Sequence, residues 1–302
     1  MTFKIFAELV ELKAKTASIF PFLMGFLYSW YHYQQIYWGN MLLFFISMVL
    51  FNMAVDIMDN YMDYHNATDV HDYKHETNII GRENLSLSLI RNMMWGFIII
   101  SALMGIYLAS QTSWVILFLG MFSYAMGIFY SAGPKPLSSL PVGEITSGLT
   151  MGIVIPLICV YLNIYDLVPF DGSLIWQVGL MSLPAAFSIA NLMLANNTCD
   201  LEEDVLNNRH TLVYYIGKKK AVRLFQILVV ASFVAATLSV IFKIVPLSLL
   251  LLWGLFPKIW KNTQLYSKEQ IKTKTFPLAI KNLALIVMVQ VILFALGVVF
   301  HL

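Results

Sequence analysis

Two segments of this 302-residue chain place carboxylates among residues apolar enough to cross a membrane. The first reads Asn52-Met-Ala-Val-Asp56-Ile-Met-Asp59-Asn60-Tyr-Met-Asp63, and the second Asn196-Asn197-Thr-Cys-Asp200-Leu-Glu-Glu-Asp204. Residues three and four apart share a helix face, so positions 52, 56, 59 and 63 form one stripe and 196, 200 and 204 another. Ionisable groups at membrane depth are expensive and normally face an interior cavity, which marks both stripes as functional. Carboxylates sharing a site raise one another's pKa and cannot all ionise without a cation. Magnesium resolves that conflict, because it prefers oxygen ligands, takes one or two carboxylates and completes its shell with water and phosphate. Asp56, Asp59 and Asp63, with Asp200 and Asp204, therefore read as Mg2+ ligands on two faces of a magnesium–diphosphate site. Asn52, Asn60 and Asn196 supply neutral oxygens or orient the carboxylates.

Basic residues near the stripes would complete an anion site. Lys135, Arg209 and Arg82 are placed to pair with diphosphate oxygens that the metal leaves free, with Arg209, five residues after Asp204, the leading candidate. The Lys218–Lys220 run reads instead as a membrane-surface anchor, and His71 and His75 as solvated loop residues. Tyr130 ends an apolar run just before Ser131-Ala-Gly133-Pro134-Lys135-Pro136. Its ring either faces an electron-poor allylic carbon through cation–π attraction or packs at the interface. The two cysteines, Cys159 and Cys199, lie in or beside different spans and point to neither a disulfide nor a zinc framework.

These residues need long helices to carry them. The chain is 59% hydrophobic and 12% charged, with a mean hydropathy of +0.73, where a soluble domain carries about 25% charged residues. Apolar windows of spanning length fall at 17–38, 41–62, 94–110, 113–130, 142–163, 176–197, 222–242, 244–260 and 281–301. The expectation is an all-α, polytopic membrane protein of about nine transmembrane helices, a single domain over residues 1–302. The apolar runs are continuous rather than alternating, which excludes a membrane β-barrel. With the N-terminus cytoplasmic and the C-terminus outside, every one of the 19 Lys and Arg except Lys243 lies inside or at an inner helix end. Residues 1–15 read as an interfacial amphipathic helix leading into an uncleaved first span. Polar inserts at 63–92, 131–141 and 198–221 share the inner side, so both stripes reach the cytoplasmic face. The similar motifs four spans apart hint at a weak parallel repeat.

Taken together, these stretches resemble the UbiA superfamily of intramembrane prenyltransferases. Tyr130-Ser-Ala-Gly133-Pro134-Lys135-Pro136-Leu137, followed by Pro141-Val-Gly143-Glu144, is similar to the fourth-to-fifth helix connection of its 1,4-dihydroxy-2-naphthoate branch. So is the run from Asn196-Asn197 through Asp200, Asp204, Arg209 and Thr211-Leu212 to Ile216-Gly217-Lys218, and so is Lys15-Thr-Ala-Ser18 before Phe20-Pro21. The first motif departs: the family's Asn-Asp-x-x-Asp-x-x-x-Asp has Val55 in place of the leading Asn, with Asn52 one turn earlier as its substitute. The resemblance implies a helical bundle with a central cavity facing the cytoplasm. It implies transfer of a polyprenyl group from a polyprenyl diphosphate to 1,4-dihydroxy-2-naphthoate with loss of CO2, giving demethylmenaquinone for menaquinone biosynthesis at the cell membrane. Asp56, Asp59, Asp200 and Asp204 would be catalytic through Mg2+, and Asn52, Asp63, Arg82, Tyr130, Lys135, Asn196, Asn197 and Arg209 would bind substrate. Asp69 or Asp72 would steer the acceptor or take its phenolic proton.

Two other readings compete. Another aromatic acceptor, such as 4-hydroxybenzoate or homogentisate, fits the same scaffold. A cation-coupled transporter would use the acids as an ion pathway, but that pathway needs polar groups continuing across the outer half. The external connections near 32–40, 111–113 and 164–175 are short or uncharged apart from Asp166 and Asp171. Nothing in the sequence suggests a nucleic-acid partner; the lipid bilayer is the expected surroundings.

Overall fold

A computed structural model describes residues 1–66 and 77–301, and Asp69, Asp72, His71 and His75 lie outside those residues. Among the described residues there are helices and turns and no strand. A short helix, α1 (Phe3–Leu9), is capped by Thr2, whose hydroxyl accepts from the Ile5 N–H. It leads through a 3-10 turn, Leu12–Lys15, into α2 (Thr16–Tyr33). Then follow α3 (Trp38–Asn66), α4 (Ile79–Arg82), α5 (Leu87–Gln111), α6 (Trp114–Ser131), α7 (Gly143–Ile164) and α8 (Gly172–Cys199). The chain finishes with α9 (Leu201–Leu206), α10 (Leu212–Ile216), α11 (Lys218–Ile241), α12 (Phe256–Lys268) and α13 (Phe276–Val299).

Seven of these, α3, α5, α6, α7, α8, α11 and α13, are long and apolar enough to cross a membrane. The two other expected spans differ for physical reasons. Window 17–38 falls on α2, which has 18 residues and ends in the polar aromatic run Trp30-Tyr-His-Tyr33. Window 244–260 is broken: Leu247–Leu255 is a 3-10 helix, and the α-helix starts only at Phe256, with Pro257 in its first turn. Proline is tolerated there because the first-turn N–H has no partner in any case.

Where the sequence reads as one domain, the described residues gather into two compact units. One comprises residues 1–16 and 42–136. Its core joins Leu9 and Val10 to Ile57, Ile80, Ile90 and Met94. The N-terminal segment is thereby packed against the acidic half of α3. Higher up, the Tyr124 ring stacks on Phe51 at 3.9 Å and its hydroxyl donates to Ser101 Oγ at 2.7 Å.

The second unit comprises residues 17–41 and 137–302. Polar side chains tie its helices: Gln290 donates to the Met181 carbonyl at 3.0 Å and Asn191 to the Phe225 carbonyl at 3.1 Å. In an apolar interior such bonds and small residues hold helices together, since hydrophobicity favours no helix over lipid. Helix α7 contains a π turn, Thr150–Val154, just before Pro156. Proline has no N–H to return to the turn before it, so the ladder widens there. The widened turn sets Gly152 directly against α8: a Cβ on it would lie 2.4 Å from the Ala186 Cα.

Gly152→Ala should therefore lower stability by about 1–3 kcal/mol through overpacking. The check is the thermal midpoint of purified protein in detergent. Gly179→Ala, where a Cβ meets nothing within 4 Å, should leave that midpoint in place.

Candidate active site

In the first unit the stripe lies on the C-terminal half of α3, where uninterrupted helix keeps Asn52, Asp56, Asp59 and Asp63 in register. All four are partly buried. Lys15, at the end of the 3-10 turn, donates to the Asp56 carboxylate and, at 3.3 Å, to the Asn52 carbonyl. Its side chain is only 2% exposed, against 20% for Asp56. Asn60 faces the N-terminal segment as well: its amide donates to the Asp56 carbonyl at 3.0 Å and the Leu9 carbonyl at 3.4 Å. Asn78 in turn donates to the Asn60 carbonyl at 2.9 Å. Asn60 is thus a tie between backbone segments.

Arg82 is the last residue of α4, at some distance in sequence from the stripe. Its guanidinium pairs with Glu8 at 2.6 Å and Glu83 at 3.3 Å, on the exposed surface. Tyr130 is partly buried at the end of α6, and Lys135 is exposed on the connection that follows. Gly133 makes that connection turn at φ +110°, a conformation open to glycine and strained for other residues.

The stripe of the second unit crosses a helix break. Helix α8 ends at Cys199 and α9 starts at Leu201, yet the Asp200 N–H donates to the Asn196 carbonyl at 3.0 Å and the Asp204 N–H to the Asp200 carbonyl at 2.8 Å. The i→i+4 ladder survives the break, so 196, 200 and 204 stay on one face. Asn208 then adopts a left-handed conformation, φ 56°, which closes α9 and folds the chain back. The Arg209 N–H donates to the Asp204 carbonyl at 2.8 Å, and its Nε lies 3.0 Å from Asp204 Oδ1. The same turn docks on the 137–139 turn, where the His210 N–H donates to the Ser139 carbonyl at 2.9 Å.

Asp204 is buried, and among the described residues its Oδ2 has no hydrogen-bond partner. Burial pushes its pKa up to about 6, with Arg209 opposing. Lys272, from the turn between α12 and α13, donates to the Asp200 carboxylate and at 2.5 Å to Asn196 Oδ1. Asn197 points elsewhere. Its amide donates to Glu144 Oε1 at 2.8 Å; both side chains are buried, and among the described residues Glu144 Oε2 has no partner.

Lys15, Lys272 and Glu144 are thus the residues that the acidic patterns did not single out. Lys15 carries a weak signal, standing at the entrance to the first span. Glu144 is a charged residue at the head of an apolar window, paired with an amide 53 residues away. Lys272 resembles any other lysine in a connecting turn, and only folding brings it to a position 72 residues distant in sequence.

The donors suit magnesium. Among the described residues no three Asp, Glu, His or Cys side chains form a closed cage. Each stripe instead offers carboxylates beside an asparagine, the short protein share of a shell that water and phosphate complete. At Asn196 and Asp200 a lysine ammonium already stands where a cation would, and the orphaned Asp204 Oδ2 is a further buried oxygen of the right kind.

A helical membrane protein with two Asp-rich stripes, each flanked by basic side chains, has the makings of an intramembrane transferase acting on a diphosphate ester. The UbiA prenyltransferase family matches residues 18–283, and the chain belongs to that family. It is 28% identical over 241 residues to the 1,4-dihydroxy-2-naphthoate octaprenyltransferase of Bacillus subtilis (strain 168), an alignment covering 79% of this chain and 73% of that protein. Its fold matches a structure of digeranylgeranylglyceryl phosphate synthase with a TM-score of 0.67 at 18% identity, over 98% of each chain. It also matches a UbiA homologue from Archaeoglobus fulgidus bound to DMAPP and Mg2+, with a TM-score of 0.62 at 13% identity, over 98% of this chain and 99% of that one.

Two outcomes follow from the pairs. Lys15→Met strands the Asp56 carboxylate, and losing one partner of a buried pair costs about 3–5 kcal/mol. Lys15→Met with Asp56→Asn should recover much of the loss in thermal midpoint. The second concerns pH. A raised carboxyl pKa means that the folded, cation-free protein holds a proton the unfolded chain releases, so its stability falls as pH rises from about 4 through about 6. A divalent cation must displace that proton, so the Mn2+ dissociation constant should rise below pH 6, and Asp204→Asn should flatten the dependence.

Proposed function

We propose that this prenyltransferase joins a polyprenyl group to 1,4-dihydroxy-2-naphthoate. The carbon–oxygen bond to diphosphate breaks, with its electron pair leaving on the diphosphate. The electron-rich ring attacks the allylic carbon, CO2 departs, and the product is demethylmenaquinone in its reduced, quinol form. The observation that carries the acceptor is the 28% identity to a naphthoate octaprenyltransferase over 79% of the chain. The Gly133-Pro134-Lys135-Pro136 connection and Gly143-Glu144, quoted above, point the same way.

Asp56, Asp59 and Asp63 on one stripe and Asp200 and Asp204 on the other would hold Mg2+, with Asn52 and Asn196 beside them. Mg2+, when bound, supplies neutralisation of the charge that develops on the departing diphosphate. Arg209 and Lys135 bind phosphate oxygens, and Arg209 is positioned for that by its own turn and by Asp204. Tyr130 borders the path of the prenyl chain. The acidic face opens to the cytoplasm, with the N-terminus inside the cell membrane and the C-terminus outside. The distribution of Lys and Arg supports that orientation.

The test uses full-length protein in lipid nanodiscs with Mg2+, farnesyl or geranylgeranyl diphosphate, and 1,4-dihydroxy-2-naphthoate or 4-hydroxybenzoate, with products read by mass. A decarboxylated prenyl-naphthoquinone after air oxidation is expected. EDTA should abolish it, and Asp200→Ala should reduce it at least about a hundredfold, the scale for losing one electrostatic stabiliser. Product from hydroxybenzoate alone would overturn the acceptor, and no metal-dependent product from either would overturn the reaction.

A further inference from the structure

Lys272 sits in a stiff turn. Thr275, buried at its base, accepts from the Ile271 N–H at 2.9 Å and donates to the Glu269 carbonyl at 2.8 Å. Lys274 in the same turn pairs with Glu269 at 2.8 Å, so the two lysines have separate partners. The Lys272 ammonium lies over the Phe276 ring, 5.0 Å from its centroid. Its Nζ takes Asn196 Oδ1 and the Asp200 carboxylate together. Those are two of the oxygens that the second stripe would offer a divalent cation, Asp204 supplying the other.

The pair lies at the protein's surface: Lys272 is 46% exposed and Asp200 21%. An exposed ion pair contributes about 0–1 kcal/mol, so a divalent ion competing for the same oxygens displaces it readily. The displaced ammonium stays tethered within reach of whatever anion the cation carries, and a cationic hydrogen bond to phosphate is among the stronger polar contacts. We propose that Lys272 is a diphosphate-binding residue that occupies the cation's place on Asn196 and Asp200 until the cation arrives. The inference rests on the metal–diphosphate reading of the second stripe given above.

The proposal makes two effects of one substitution opposite in sign. In Lys272→Ala the competitor is gone, so Mn2+ binding to substrate-free protein, read by electron paramagnetic resonance, should tighten severalfold. Binding of inorganic diphosphate to the Mn2+-loaded protein should weaken roughly tenfold, the scale for a hydrogen bond to a charged group. In turnover, KM for the prenyl diphosphate should rise by a similar factor while KM for the acceptor stays within about twofold. Lys272→Arg should keep diphosphate binding near wild type, which a merely structural surface lysine would not require. Unchanged diphosphate affinity in Lys272→Ala, or weaker Mn2+ binding, overturns the proposal. Wild-type protein that binds Mn2+ and diphosphate, with the expected Lys272→Ala shifts, yet prenylates neither acceptor, supports Lys272 and removes only the acceptor chemistry. Wild-type protein that binds neither Mn2+ nor diphosphate overturns both.

Discussion

Carboxylates gathered on one helix face have to be matched by a cationic partner, because like charges that share a site raise one another's pKa. Each acidic stripe meets that constraint with a lysine at its first Asn-x-x-x-Asp step, on a backbone carbonyl in the first and a side-chain oxygen in the second. Lys15 closes on Asn52 and Asp56, and Lys272 closes on Asn196 and Asp200. Both lysines come from connecting turns, one before α2 and one before α13, and neither belongs to the helix it neutralises. The stripes therefore depend on contacts within each unit that bring distant turns to a helix face. In the first unit the apolar cluster around Leu9, Val10 and Ile57 holds the N-terminal segment where Lys15 can reach.

Helical register is the other requirement. A stripe exists only while side chains return every three or four residues, and α3 achieves this by running unbroken from Trp38 to Asn66. The second stripe keeps it across the break at Asp200 because the backbone bonds on both sides of the break remain i→i+4. The break does change direction afterwards. Asn208 turns the chain so that Arg209 returns to Asp204 instead of continuing outward. An arginine five residues on in an ideal helix would point well away from Asp204, since five residues turn the face by about 500°.

Much of this was legible in the residue order. The two stripes, the all-helical class and five of the spans to within a few residues follow from continuous apolar runs and period-3.6 spacing, which are local properties. Arg209 was legible as a basic residue beside the second stripe and read as a diphosphate partner, whereas its pairing with Asp204 and the turn that makes it were not legible. Window 244–260 misled because apolarity alone does not distinguish a helix from a 3-10 run ahead of Pro257. Lys15, with only the weak signal of its place before the first span, and Lys272, with none, could not be assigned to the stripes because their contacts lie 41 and 72 residues away in sequence. Asn197, which the resemblance implies as a substrate contact, has its amide turned to the buried Glu144, since adjacent helical residues point about 100° apart.

Burial then divides like pairs into unlike roles. Lys15 is 2% exposed, and its separation from Asp56 would leave charge in a poorly solvated place, at a cost of several kcal/mol. It belongs to the frame. Lys272 is 46% exposed, and an ion pair at that exposure contributes only about 0–1 kcal/mol. In the role proposed for it, it is the exchangeable cation. Arg209 stands between, 31% exposed on a carboxylate that is nearly covered, and its backbone is fixed to the same residue as its side chain. An ammonium or guanidinium that is to meet a charged substrate must be removable from its resting partner, and the degree of solvent access sets how removable it is. The same lysine–aspartate chemistry therefore serves as a pin in the first unit and as an exchangeable cation in the second, with water as the difference between them.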